Sequence, residues 1–197
     1  MKTRDLEKIS SLANLGVFTS QEAREQASVS QPTLYRLEQE GLIEKVARGL
    51  FVHPEADIDY EHLDYIIACK TFGDEAVIGG LSALSYYNLI EQVPMNIWVL
   101  TSPSKTKSVV HKKYRLIRTK LSLKVEVLEK EQFKIVTLER SLVEGLKHES
   151  KLGEGLVFGA IKKALSEELT TESKLSKAAR KLKLMSVLEK KWELIVA

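Results

Sequence analysis

The stretch from Gly16 to Pro54 constrains the fold more than any other part of the chain. Two short segments with helical spacing of apolar residues are separated by the polar break Ala27-Ser28-Val29. Two apolar runs, Leu42-Ile43 and Leu50-Phe51-Val52, then flank a turn at Arg48-Gly49. This order of elements predicts a helix-turn-helix followed by a two-stranded wing, which is typical of winged-helix DNA-binding domains.

Capping residues indicate where the helices of this stretch begin. Lys2–Leu15 is predicted as a first helix, and Thr19-Ser20 supplies an N-cap for a second helix over Gln21–Gln26. Ser30 is expected to cap a third helix. Pro32 falls in the first turn of that helix, where a missing amide proton costs nothing.

The third helix is the candidate recognition helix. Leu34 and Leu37 are expected to face inward, and the opposite face carries planar and hydroxyl groups suited to base edges and phosphates: Gln31, Thr33, Tyr35, Arg36 and Gln39. Two roles stay open for Arg36, bidentate binding of a guanine or contact with a phosphate. Tyr35 has the alternative of packing into the core beside Leu34, and Ser30 could serve DNA contact as well as capping.

The remaining DNA-binding candidates lie on the wing and in a basic segment further along the chain. On the wing they are Lys45 and Arg48. Residues 101–124 contain eight basic residues and no acid: Lys105, Lys107, Lys112, Lys113, Arg115, Arg118, Lys120 and Lys124. This segment could meet DNA, a partner protein or only solvent, and we count Lys105, Lys107, Lys112, Lys113 and Arg115 among the DNA-binding candidates.

Length and composition allow two domains in an α+β fold. The chain has 197 residues, of which 44% are hydrophobic, so it can bury a real core. The acidic connection Pro54–Asp59 predicts a boundary between a winged helix-turn-helix domain over 1–54 and a second domain over 55–197. The second domain is predicted as a small mixed sheet with helices before and after it. Its strands are expected at 76–78, 95–100, 114–117, 123–128 and 133–136, and its helices at 60–72, 81–89 and from 138 onward.

The other charged and polar groups argue against catalytic or metal sites. Seven carboxylates between Glu55 and Glu75 straddle a connection and a helix, without the spacing of a calcium loop. The four histidines are scattered, so we expect neither a metal nor a cofactor. With Cys69 as the single cysteine and no long apolar run, a reducing cytoplasmic location is expected, with no membrane partner.

The residues from Val17 to Pro54, with Arg-Gly-Leu-Phe at the wing, resemble the winged-helix domain of AbiEi-type antitoxins. Those antitoxins are transcriptional regulators of type IV toxin–antitoxin systems. The blocks AVIGGLSALSYYNL, NIWVLTSP and KIVTLERSLVEGL are similar in order to that family's C-terminal domain. The resemblance implies a repressor that binds inverted repeats in its own promoter, as a monomer or homodimer. It also implies that the protein opposes a nucleotidyltransferase-type toxin encoded beside it.

Two other functions stay open from the residues alone. The helix-turn-helix could contact protein instead of DNA, which would make the chain an interaction module with the second domain as its toxin-directed surface. A nuclease is the enzymatic alternative, because Glu-Xaa-Lys occurs at Glu149, Glu172 and Glu189. Metal-dependent cleavage needs such a pair on a strand beside another acid, and all three motifs fall in segments predicted as helices, so we expect a protein that is not an enzyme.

Overall fold

The computed structural model of the chain describes residues 9–103 and 112–196. Internal contacts divide the chain into two compact units, Met1–Gly73 and Asp74–Ala197. The division falls after Gly73, not after Pro54 as the acidic connection suggested. The reason is that the helix ending at Phe72 packs on the first strand of the N-terminal unit, so the residues from 55 to 73 belong with the winged helix.

The N-terminal unit has the element order of a winged helix, extended by one further helix. The elements are α1 (residues 9–13), β1 (Val17–Thr19), α2 (Ser20–Ala27), α3 (Gln31–Gln39), β2 (Glu44–Ala47), β3 (Leu50–Val52), a 3-10 turn (Tyr60–His62) and α4 (Leu63–Phe72). The predicted second and third helices and both wing strands are confirmed. The start of the predicted helix Lys2–Leu15 lies outside the described residues.

Strand β1 was not predicted from the sequence, and it completes the wing sheet. The strand order is β1-β3-β2, with both pairs antiparallel and with Val17 opposite Val52. A register shift between Lys45 and Ala47 marks a bulge in β2, which increases the local twist of the wing. Three residues are too few for an alternating pattern to identify β1 in advance.

One apolar cluster holds the helices to this sheet. Its buried members come from α1, β1, α2, α3 and β3 and from the turns between them: Leu12, Phe18, Ala23, Ala27, Val29, Leu34, Leu37, Ile43 and Phe51. The Phe18 and Phe51 rings stack with their centroids 6.2 Å apart. Strands β1 and β3 are thereby fixed to the helix-turn-helix by burial of apolar area, the dominant favourable term in folding.

The second unit is a mixed five-stranded sheet with helices. Its elements are β4 (Val77–Ile78), α5 (Gly80–Tyr86), β5 (Ile97–Thr101), β6 (Tyr114–Arg118), β7 (Val127–Glu129), β8 (Lys134–Val136), α6 (Leu138–Lys147), α7 (Glu149–Leu152), α8 (Glu154–Ser166), α9 (Glu172–Lys181) and α10 (Met185–Val196). The strand order is β6-β5-β4-β8-β7, with β5–β6 and β4–β8 parallel and the other pairs antiparallel. The predicted α+β class is confirmed.

Two local predictions for this unit are wrong. The expected strand over 123–128 is a loop up to Glu126, because Arg140 binds the carbonyl oxygens of Ser122 and Val125 and takes them out of any strand pairing. The helix expected to reach residue 89 ends at Tyr86, since Asn88 adopts a left-handed conformation.

Among the described residues, no helix is long and apolar enough to cross a membrane.

Candidate nucleic-acid interface

Helix α3 begins and ends at residues that fix its boundaries. The Ser30 hydroxyl accepts a hydrogen bond from the Thr33 amide at 3.4 Å, and Pro32 lies in the first turn, as predicted. At the other end Gly41 has φ +71°, and the Leu42 amide donates to the Leu37 carbonyl at 2.9 Å. This left-handed glycine cap lets the chain turn directly from the helix into the wing.

The two faces of α3 are chemically distinct. Leu34 and Leu37 are buried, as expected, so the helix cannot rotate about its axis without exposing both. The exposed residues are Gln31, Tyr35, Arg36 and Gln39, and Thr33 is half-buried. The structure therefore brings together on one solvent-facing surface the side chains that the sequence predicts for base and phosphate contact.

Arg36 is the strongest single candidate for reading a base. Its side chain is 63% exposed, and its nearest carboxylate, Glu40, lies 3.9 Å away on the next turn. An exposed ion pair of this kind contributes little to folding stability, so Arg36 can leave Glu40 and bind another anion. The guanidinium can therefore turn to a guanine edge, where two parallel hydrogen bonds would form, or to a phosphate.

Tyr35 joins the recognition helix to the wing. Its ring lies edge-on to Phe51 with the centroids 6.4 Å apart, while 48% of the residue stays exposed. The Gln31 amide donates to the Tyr35 hydroxyl at 3.4 Å. Tyr35 is thus half-exposed against β3, neither wholly buried beside Leu34 nor free on the surface, and it orients Gln31 on the outer face.

The wing carries two exposed cations. The turn between β2 and β3 holds Arg48 next to Gly49, which has φ +74°, a conformation that favours glycine. Lys45 lies opposite Phe51 in the β2–β3 pair and is exposed. A wing of this geometry places positive charge on the same unit as the recognition helix, where it can contact a DNA backbone.

A small cavity opens at the turn between α2 and α3. Its volume is about 250 Å³, and its polar lining residues are Ser28, Ser30, Thr33 and Arg36. The Ser30 and Thr33 hydroxyl oxygens lie 2.8 Å apart and are joined by a hydrogen bond. Hydroxyl groups at the start of a helix are suited to a phosphate oxygen, because the helix dipole also favours negative charge there.

The charge distribution differs from that of a typical DNA-binding domain, which is basic. The N-terminal unit holds eight Lys and Arg against 12 Asp and Glu, a formal net charge of −4, which leaves +7 for the second unit. Of the basic segment, Lys112, Lys113 and Arg115 lie in the second unit and are exposed. The Arg115 guanidinium stacks over the Trp98 ring at 4.5 Å. Lys105 and Lys107 lie outside the described residues.

One ion pair of the N-terminal unit, which joins α2 to α4, was not predicted from the sequence. Glu22 accepts from the Thr19 amide at 2.8 Å in a capping box at the start of α2, and Lys70 of α4 donates to the same carboxylate at 2.5 Å. Partial burial opposes ionisation of this carboxyl, but the Lys70 ammonium and the Thr19 amide outweigh it and lower the pKa of Glu22. The capping box can be predicted from the sequence because Thr19 and Glu22 are three residues apart. No residue near Glu22 in the sequence indicates that Lys70 is its ionic partner.

These features define a winged helix-turn-helix unit with an exposed recognition face. Residues 7–54 match a protein family described as "Transcriptional regulator, AbiEi antitoxin", so the expected resemblance is confirmed over that segment. This match supports a role as an antitoxin transcriptional regulator.

The fold is similar to that of a solved structure over nearly the whole chain. The RV2827C protein from Mycobacterium tuberculosis aligns with 95% of this chain and 78% of its own, at 11% identity and a TM-score of 0.60. At that identity the likeness concerns the fold alone. No curated protein gives a significant sequence match.

Proposed function

We propose that the chain is a sequence-specific DNA-binding repressor that acts as the antitoxin of a toxin–antitoxin operon. The observation that carries the proposal is the exposed polar face of α3, with Arg36 63% exposed on the side opposite the buried Leu34 and Leu37. The family match over residues 7–54 supports the same class of protein.

In this proposal each part of the unit has its own role. Gln31, Arg36 and Gln39 read base edges in the major groove, because amide and guanidinium groups match the donor and acceptor patterns of adenine and guanine. Ser30 and Thr33 contact a phosphate at the start of α3. Lys45 and Arg48 hold the DNA backbone at the wing and carry no sequence information themselves.

Few side chains read bases, so one unit recognises a short half-site. Two copies on an inverted repeat would provide the specificity that a promoter requires, either as a homodimer or as two monomers. We propose, following the resemblance, that this repeat lies in the protein's own promoter. The toxin opposed would be a nucleotidyltransferase in the cytoplasm, in a type IV system.

The test is binding of the full chain to its own upstream DNA and to the same bases in shuffled order, at moderate salt. The proposal expects the upstream fragment to bind at least about 100-fold more tightly, a difference of roughly 3 kcal/mol. Arg36→Ala should reduce that preference by about 1–3 kcal/mol, the contribution of one base contact. Arg180→Ala, which removes an exposed arginine from α9, is the matched control and should bind as the wild type. Equal affinity for both fragments would refute the proposal.

A second candidate function has one observation in its favour, the net charge of −4 on the N-terminal unit. An acidic surface opposes the phosphate attraction that supplies much of the affinity for DNA. An interaction module whose helix-turn-helix contacts protein, with the second domain directed to the toxin, would need no such attraction. A stable complex with the neighbouring gene product, together with no DNA binding, would select this function.

The nuclease alternative is not favoured by the geometry of its motifs. Glu149, Glu172 and Glu189 all lie on helices, in α7, α9 and α10. Lys191, the lysine of the third motif, lies 2.7 Å from Glu149 and 3.3 Å from Glu154, so it joins α10 to α7 and α8 as a structural ion pair. That contact raises the pKa of Lys191, chiefly through the Glu149 carboxylate.

A further inference from the structure

A cavity of about 620 Å³ lies within the second unit, at one end of the five-stranded sheet. Its lining comes from the residues before β4, those after β5, the loop that follows β6, and strands β7 and β8. Because β5 and β6 are parallel, their carboxyl ends meet at this end of the sheet. Crevices outside the carboxyl ends of strands are where open α/β sheets bind ligands.

Residues 119–124, part of the loop over 119–126, form one wall of this cavity, and hydrogen bonds from buried groups hold the loop in place. It connects β6 to β7, the two opposite edges of the sheet. Arg140 of α6 is fully buried and donates through Nη1 to the carbonyl oxygens of Ser122, at 2.7 Å, and Val125. The far end of the loop is fixed by the Thr137 amide, which donates to the Glu126 carbonyl at 2.9 Å.

Burial of the charged Arg140 side chain costs desolvation free energy. The structural result of this burial is that the guanidinium holds the loop over residues 119–126. Its Nε donates to Glu144 at 2.8 Å, while Nη2 of Arg140 and one carboxylate oxygen of Glu144 are buried without a partner among the described residues. A pair of apolar side chains would pack there at least as favourably. What the buried pair provides is a fixed position for two carbonyl groups of the loop, and therefore for the lysines beside them.

The charged groups of the lining fall into paired and unpaired sets. Lys134 is engaged by Glu129 at 3.3 Å and by the Asp74 carbonyl at 3.2 Å. Lys120 and Lys124 are exposed on the loop over residues 119–126 and form no ion pair with any residue in 9–103 or 112–196. Across the cavity are carboxylates, including Glu75, which the Ser102 hydroxyl orients at 3.0 Å.

We propose that this cavity binds a small phosphorylated molecule. Lys120 and Lys124 would hold the phosphate, since lysine binds phosphate as a point charge on a flexible stem. Asp74 and Glu75, which only accept hydrogen bonds when ionised, would receive the hydroxyl or amino groups at the other end of the ligand. The volume lies in the range of roughly 300–1,000 Å³ that is usual for small-molecule sites. The site is independent of the DNA-binding proposal.

The test measures binding of three probes to the full chain by isothermal titration calorimetry. The probes are AMP, ribose 5-phosphate and adenosine. The proposal expects both phosphorylated probes to bind with one site per chain, and adenosine to bind at least about ten-fold more weakly, because it lacks the group that the lysines hold. Tighter binding of AMP than of ribose 5-phosphate would assign the ligand to the nucleotides, and equal binding would assign it to the sugar phosphates.

Two double variants that remove the same charge distinguish binding at this site from nonspecific attraction to positive charge. Lys120→Ala with Lys124→Ala should raise the dissociation constant of both phosphorylated probes at least about ten-fold. Lys162→Ala with Lys190→Ala removes the same charge from exposed positions outside the cavity lining and should leave binding unchanged. Absence of binding of both phosphorylated probes at millimolar concentration would overturn the proposal. Adenosine binding as tightly as AMP, or full binding by the Lys120 and Lys124 double variant, would do the same.

Discussion

In the N-terminal unit, the single residue Glu22 has both a local role and a long-range role. Glu22 caps its own helix and also pairs with Lys70, which lies 48 residues further along the chain. A capping box can be read from the sequence, because its two members are three residues apart. The choice of Lys70 as the ionic partner depends on where α4 packs, and no local pattern encodes that.

The Glu22–Lys70 pair should make the unit sensitive to acid. Because the pKa of Glu22 is lowered on folding from the ordinary 4.5, the pair stabilises the folded state at pH above 4.5. That contribution is lost as the pH falls below 4.5 and through the lowered value. Unfolding free energy measured by urea at pH 7 and in this acidic range should decrease less in Glu22→Gln than in the wild type.

Lys70→Met is the complementary variant for the same measurement. It keeps the carboxylate and removes its partner, so it should weaken the dependence on pH in the same direction as Glu22→Gln. If both variants lose stability in acid as steeply as the wild type, the ion pair contributes nothing to folding.

At the scale of elements, helices and wing strands follow from the sequence, and several strand details do not. Ser30 and Pro32 mark α3 through interactions within one helical turn, so its start is readable. Strand β1 depends on a partner strand more than 30 residues away, with Val17 opposite Val52. The loop before Glu126 has an apolar pattern that suggests a strand, but Arg140 overrides it from another helix.

The start of α5 depends on a close approach of backbone to sheet. Gly80 has φ +53°, and a Cβ atom there would lie 2.7 Å from the Trp98 ring. Gly80→Ala should therefore destabilise the second unit by about 1–3 kcal/mol, through overpacking and backbone strain. Gly159→Ala is the matched control. It lies inside α8 with open space around the new atom, so it should be neutral or stabilise by up to about 1 kcal/mol. Equal effects in thermal unfolding of the two variants would show that Gly80 is not constrained.

At the scale of the whole molecule, the sequence predicts two parts and misplaces their boundary. The acidic run after Pro54 has the composition of a linker, yet Ala56 and Ile58 within it are buried and α4 packs on β1. The composition of this segment is dominated by its solvent-facing acidic residues. It therefore does not reveal the two apolar residues that alternate with them. The candidate recognition face was predictable because it depends on one short helix, whereas the cavity of the second unit depends on five separated segments.

The position of the boundary gives a prediction for fragments. Residues 1–73 should fold as a cooperative unit, and residues 1–54 should be less stable by at least about 2 kcal/mol, because they lack the apolar surface of α4 and the Lys70 ammonium. Thermal and urea unfolding of the two fragments measure this difference. Fragments of equal stability would place the boundary after Pro54.

In the proposed repressor, α3 reads bases while the wing only holds the DNA backbone. The most direct measurement is the affinity of the full chain for a set of operators in which each base pair of one half-site is replaced in turn, for the wild type, Arg36→Ala and Arg48→Ala. Arg36→Ala should lose about 1–3 kcal/mol of discrimination at one base position and keep its preferences elsewhere. Arg48→Ala should weaken binding to all operators alike and reduce the salt dependence. A uniform loss of affinity in Arg36→Ala, with every base preference intact, would contradict base reading by Arg36.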